Sequence, residues 1–71
     1  MVWYLYLCDR NGQLYTGITT DLVHRMKQHK AHLLYHESYE LRNDAVRREK
    51  QIKGWSRNKK LQLIDRADQP K

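Results

Sequence analysis

Residues 4–29 join two alternating runs and a helix into one short unit, and no other stretch leaves the chain so few ways to fold. The pivot is Asn11-Gly12. It lies between Trp3-Tyr4-Leu5-Tyr6-Leu7-Cys8 and Leu14-Tyr15-Thr16-Gly17-Ile18, and Asn-Gly supplies the positive φ angles that a tight hairpin requires. The alternation predicts a first strand over residues 2–8, with Val2, Tyr4, Tyr6 and Cys8 on one face and Trp3, Leu5 and Leu7 on the other. Both faces are apolar or aromatic, as suits a central strand covered on both sides. A turn is expected over Asp9-Arg10-Asn11-Gly12. A second strand over residues 13–18 puts Leu14, Thr16 and Ile18 on one face and Gln13 and Tyr15 on the other, and Gly17 admits close approach to its backbone. Thr19-Thr20-Asp21 then reads as a helix start, a Thr N-cap with an Asp near the positive end. The helix is predicted to run to about Ala31. Leu22, Arg25, Met26, His29 and Leu33 recur at helical spacing, so Arg25 and His29 share the apolar stripe.

The rest of the chain reads as completing this unit. Residues 33–39 predict a third strand with imperfect alternation. Asn43 is placed to cap a second helix ending at Lys53, with Gly54 as its stop. Its stripe is Ala45, Glu49 and Ile52, flanked by Val46 and Arg48, so a carboxylate stands where an apolar side chain belongs. Ser56 is placed to cap a third helix from Arg57 to about Arg66, with Leu61, Leu63 and Ile64 as its apolar residues. A frayed tail is expected from about Ala67. Residues 1–71 make a single small domain with no internal repeat or linker.

Placement of charge narrows the partners. Residues 41–60 hold eight Lys or Arg against Asp44 and Glu49, and so carry the whole formal net charge of +6. A localised basic block suits a polyanion, here DNA, and Arg48, Lys53, Arg57, Lys59 and Lys60 are its candidate contacts. The bland alternative is a solvated basic helix face. One cysteine, Cys8, excludes an internal disulfide and a Cys-rich zinc site. No apolar run spans a membrane, and no secretion signal opens the chain, so a cytoplasmic setting is expected. No obligate protein partner is evident.

Ionisable groups on core-facing stripes are costly unless paired or functional. There are three: Arg25, His29 and Glu49. One account is a buried Arg25–Glu49 pair beside a hydrogen-bonded His29. The other is a cleft floor, where a carboxylate holds a divalent cation, an arginine neutralises a phosphate and tyrosine hydroxyls position or deprotonate water. Tyr6 and Tyr15 divide the same way, between a cross-strand pair and that cleft. His24, His29, His32 and His36 lack the further ligands of a zinc set. His24 and His36 read as surface residues, and Trp55 as the anchor of the bend between the last two helices, with base stacking as the alternative.

Tyr4-Leu5-Tyr6, Tyr15-Thr16-Gly17, Arg25 and Glu49, in that order and spacing, resemble the GIY-YIG nuclease domain. The likeness is to small stand-alone bacterial proteins similar to the N-terminal domain of the excision-repair nuclease. It extends over Leu14-Tyr15-Thr16-Gly17-Ile18-Thr19 and Arg48-Glu49-Lys50-Gln51-Ile52-Lys53-Gly54-Trp55-Ser56, and covers about residues 2–66. It implies an α/β (α+β) fold, a three-stranded mixed sheet with an N-terminal β-hairpin, flanked by about three helices. It also implies a DNA endonuclease of one-metal type, with DNA repair or processing as its setting. By the same resemblance, Tyr6 and Tyr15 activate or position water. Arg25 stabilises charge developing on the phosphate, His29 contacts a tyrosine hydroxyl, and Glu49 is the single protein ligand of Mg²⁺ or Mn²⁺. A non-catalytic nucleic-acid-binding module keeping the same fold is the rival expectation.

The sequence departs from the family pattern in four places. Tyr4 replaces the first glycine of the family name, and Ile18 stands where repair nucleases often carry lysine. The asparagine that follows the metal glutamate has no clear match, leaving Asn58, Lys59 or Lys60 in its place. Only Lys30-Ala31-His32 joins His29 to Leu33, where the subfamily usually has a dozen or so Gly-rich and basic residues.

Overall fold

A computed structural model describes residues 1–68. The chain runs β1 (Trp3–Arg10), β2 (Gln13–Thr19), α1 (Leu22–His29), β3 (His32–Tyr39), α2 (Arg42–Lys53) and α3 (Arg57–Asp68). The hairpin forms around Asn11 and Gly12, with φ of 54° and 81°. The turn is narrower than the four residues expected, because Arg10 stays in β1, paired with Gln13.

The sheet order is β2-β1-β3, and both pairings are antiparallel. The mixed sheet implied by the family resemblance is therefore corrected to an antiparallel one, an α+β fold. The connection through α1 carries the chain across β1 to its far edge. β3 thus runs parallel to β2 but never neighbours it. A register shift between Leu7 and Cys8 makes Leu34 the extra residue of a bulge. That bulge explains the imperfect alternation of the third strand, for Leu34 packs towards the core beside Tyr35.

One sheet face makes the core. Leu5 and Leu7 of β1 are fully buried with Ile52 of α2, joined by Ile64 of α3. Ala45 is fully buried on the same α2 stripe. The opposite face carries Tyr6 and Cys8, both buried, under the shorter α1. Leu22, Arg25, Met26 and His29 form the half-buried side of α1 while Val23, His24, Lys27 and Gln28 are exposed. Leu33 falls outside this stripe because it lies in β3.

The helix ends refine the predicted caps. Asp21, not a threonine, caps α1 by accepting from the His24 amide at 3.1 Å, while Thr19 Oγ1 accepts from the Asp21 amide. The helix stops at His29 rather than Ala31, because Lys30 adopts a left-handed φ of 50°. The Ala31 amide then donates back to the Met26 carbonyl at 3.1 Å. This reversal lets a two-residue link lead into β3. Leu41, not Asn43, stands at the N-cap of α2 and offers no side-chain bond, so Asp44 in the first turn is left to offset the helix dipole. Ser56 Oγ accepts from the Lys59 amide at 3.3 Å and caps α3 as expected. α3 continues to Asp68, past the expected start of the tail, and residues 69–71 lie outside those described.

Candidate active site

The two layers meet in a cleft of about 390 Å³ along the β2 edge of the sheet. β1 contributes Tyr6, Cys8 and Arg10 to its walls, β2 contributes Tyr15 to Ile18, α1 contributes Arg25 and His29, and α2 contributes Glu49 and Lys53. The four candidate catalytic residues and the candidate metal ligand therefore line one opening, although Glu49 arrives from the helix on the opposite sheet face.

Tyr6 and Gly17 are directly opposed on β1 and β2. A Cβ on Gly17 would lie 2.6 Å from the Tyr6 hydroxyl oxygen and 2.7 Å from Cζ. Only glycine leaves room for this ring to cross the second strand. The Tyr6 hydroxyl accepts a long hydrogen bond, 3.4 Å, from Arg25 Nε. Tyr15 is 46% exposed, and its hydroxyl donates to Gln13 Oε1 at 3.0 Å. His29 lines the cleft but makes no side-chain hydrogen bond among the described residues. The tyrosine contact expected of it is made by Arg25 instead, one helical turn earlier.

Glu49 pairs with Lys53 at 3.4 Å, one turn along α2. Among the described residues the other ion pair is Arg48–Glu37. The buried Arg25–Glu49 pair considered above is therefore not formed. Arg10, Arg25 and Lys53 line the cleft with one carboxylate, Glu49, an electropositive lining suited to a phosphate. Burial and nearby Asp9 push the Cys8 thiol up, which keeps it neutral and a poor nucleophile.

Arg10 is an addition to the residues expected from the sequence. Strict alternation along Tyr6, Cys8 and Arg10 is the signal that could have found it, and assigning Arg10 to a turn hides that signal. A second unforeseen feature is centred on Glu37. Tyr35 and Tyr39 both donate hydroxyl hydrogen bonds to its carboxylate, and Arg48 closes on it with Nε at 3.0 Å and Nη2 at 3.1 Å. Arg48 also donates to Gln51 Oε1 at 2.8 Å and lies over Trp55, 5.3 Å from the ring centre.

The expectation that Arg48 contacts DNA meets a physical obstacle here, since its charge is already met by Glu37. Of the other candidate cations, Lys59 lies 4.5 Å from the Trp55 ring centre, and Arg57 donates to the Gly12 carbonyl at 3.4 Å. Lys53 turns to Glu49, and Lys60 is half-buried. Trp55 sits half-buried where α2 meets α3, as an anchor of that bend.

Among the described residues no three His, Cys, Asp or Glu side chains gather as a metal-binding cluster. Glu49 offers a single hard carboxylate on the cleft wall. That donor set fits an ion which keeps most of its waters, such as Mg²⁺, and does not fit the closed nitrogen or sulfur shell of a structural zinc. No helix among the described residues is long and apolar enough to cross a membrane.

Comparison with known proteins bears on the family and the fold. The family model of the GIY-YIG catalytic domain matches residues 1–34. Those residues include Tyr6, Tyr15, Arg25 and His29, and Glu49 lies beyond them. A UPF0213 protein of Staphylococcus aureus strain Mu3 is 36% identical, with 86% of this chain and 89% of that protein covered. Its counterpart in strain N315 gives the same figures. The alignment spans 74 positions, more than this chain has residues, so the relative carries residues that this chain lacks. The solution NMR structure of a UPF0213 protein from Bacillus halodurans matches with a TM-score of 0.70 at 30% identity, over 99% of this chain and 89% of that one.

Proposed function

The chain belongs to the UPF0213 family of GIY-YIG-domain proteins, and on that footing we propose that it is a metal-dependent endonuclease hydrolysing DNA phosphodiester bonds. The observation that carries this reading is the convergence of Tyr6, Tyr15, Arg25, His29 and Glu49 on one open, electropositive cleft. Water attacks phosphorus, a new P–O bond forms, and the bond to the leaving sugar oxygen breaks. Tyr6, fixed between Gly17 and Arg25, orients that water, whose proton passes to solvent while the leaving sugar oxygen takes one up, with Tyr15 and His29 on the flanks. Arg25 and Arg10 oppose the charge that builds on the phosphate oxygens. Glu49 would hold Mg²⁺ or Mn²⁺, which supplies Lewis-acid polarisation of the phosphate and a more acidic water.

Lys53, Arg57, Lys59 and Lys60 form the basic side along which the DNA backbone lies, and repair or processing of DNA is the setting this chemistry suits. The test is nicking of plasmid and branched DNA in Mg²⁺ or Mn²⁺. Arg25→Ala should slow cleavage by about 10²–10³-fold, the usual cost of one charge-stabilising donor, and Glu49→Ala should abolish it. DNA binding by the parent with no cleavage in either metal would select the non-catalytic module instead.

A further inference from the structure

Among the described residues, Thr16 Oγ1 is the buried side-chain polar atom that has no hydrogen-bond partner. Buried hydroxyls are normally satisfied, so an orphan calls for a cause. Thr16 stands opposite Leu7 across the hairpin, and cross-strand partners share a sheet face. Leu7 packs on Ile52 of α2, so the Thr16 side chain lies on the face that α2 covers. Glu49 precedes Ile52 by three residues and occupies the same helix stripe. Thr16 and Glu49 also line the same cleft.

Glu49 is incompletely satisfied in turn. Its Oε2 pairs with Lys53 at 3.4 Å, and its Oε1 makes no hydrogen bond among the described residues. Lys53 is largely exposed, and such pairs along a helix are weak. A hydroxyl with no acceptor and a carboxylate oxygen with no donor thus belong to facing elements of one site. We propose that Thr16 is a positioning residue for Glu49: its hydroxyl donates to the carboxylate when Glu49 leaves Lys53 to bind a divalent cation. One carboxylate oxygen then serves the ion and the other is held by the strand, the usual way a ligand is oriented from behind. Lys53, released from Glu49, is free to meet a substrate phosphate. This inference rests on the nuclease reading above, because it takes Glu49 as the metal ligand.

The test is Mn²⁺ binding to DNA-free protein, followed by the electron paramagnetic resonance signal of the free ion, with thermal unfolding measured alongside. Thr16→Val keeps the β-branched shape and removes the hydroxyl. It should weaken Mn²⁺ binding by about tenfold, in the range typical for groups that orient metal ligands. Its melting temperature should equal or exceed the parent's, because an unsatisfied polar atom has gone. Thr16→Ser should bring the affinity back towards the parent's. Parent-like Mn²⁺ affinity in Thr16→Val, or no recovery in Thr16→Ser, overturns the role of Thr16 while leaving the nuclease reading intact. Equal Mn²⁺ affinity in the parent and Glu49→Gln would remove Glu49 as ligand, and both proposals would fall together.

Discussion

At the scale of single residues, the site depends on what is absent from Gly17. The Tyr6 ring is almost wholly buried, so it cannot swing aside for a methyl group without disturbing its neighbours. Gly17→Ala should therefore displace the Tyr6 hydroxyl and slow nicking by about 10²-fold, as a misplacement near 1 Å can do. Gly12 is the control. A Cβ there meets nothing within 4 Å, but φ is +81°. Gly12→Ala should cost about 1 kcal/mol of stability through left-handed strain and leave the nicking rate of the folded protein unchanged. Rates and urea unfolding of the two variants separate these effects, and equal nicking by Gly17→Ala and the parent would remove Gly17 from the site's construction.

At the scale of elements, α2 has to be held in one rotation about its axis, because it carries Glu49 to a cleft on the far edge of the sheet. The clamp is Arg48 on Glu37. The pair is bidentate and partly buried, with side chains 25% and 17% exposed, so its geometry constrains α2 more than a surface pair would. Burial on its own would raise the Glu37 pKa, but hydrogen bonds from Arg48, Tyr35 and Tyr39 outweigh it and hold the carboxyl below its ordinary value. A depressed carboxylate stabilises the fold above its unfolded pKa of about 4.3, and that contribution is lost as pH falls through the folded value. Burial and then the bond to Glu37 push Tyr35 and Tyr39 up to about 12. Those raised groups contribute below the unfolded tyrosine pKa of about 10, and the contribution is lost as pH rises towards 12. Urea unfolding of the parent and Glu37→Gln across pH 3–7 should show the two converging as pH falls. A difference in stability that stays constant over that range would rule out an ionised Glu37 as the source.

The same elements show how much of the molecule is legible in the sequence. Asn11-Gly12 places the hairpin, and the α1 stripe places Arg25 and His29, because both depend on local chain geometry. Glu49 is visible as a carboxylate on an apolar stripe. The antiparallel sheet is not visible, since it depends on which edge of β1 receives β3. Nor is the Glu37 clamp, which needs the β3 register and α2 at once. Thr16 falls on its correct face from alternation alone, but its orphaned hydroxyl exists only after the core has closed around it.

At the scale of the whole molecule, the formal net charge of +6 equals that of residues 41–60, which take in α2, the turn after it and the first turn of α3. Part of it is already neutralised, with Arg48 committed to Glu37 and Lys53 to Glu49 in the free protein. If Lys53, Arg57, Lys59 and Lys60 each meet a phosphate, DNA affinity should fall with salt at a log–log slope between about −3 and −4. A flat salt response would move the contact surface elsewhere. The short link at Lys30 and Ala31 leaves the cleft intact, while the Staphylococcus aureus relative carries residues that this chain lacks.

The most direct measurement is Mg²⁺-dependent nicking by the parent and by Glu49→Ala, with the DNA affinity of each recorded under the same conditions. The expected result is cleavage by the parent that stops when the metal is chelated, and a Glu49→Ala protein that binds DNA as well as the parent but does not cut it. Cleavage by Glu49→Ala at the parent's rate would contradict it.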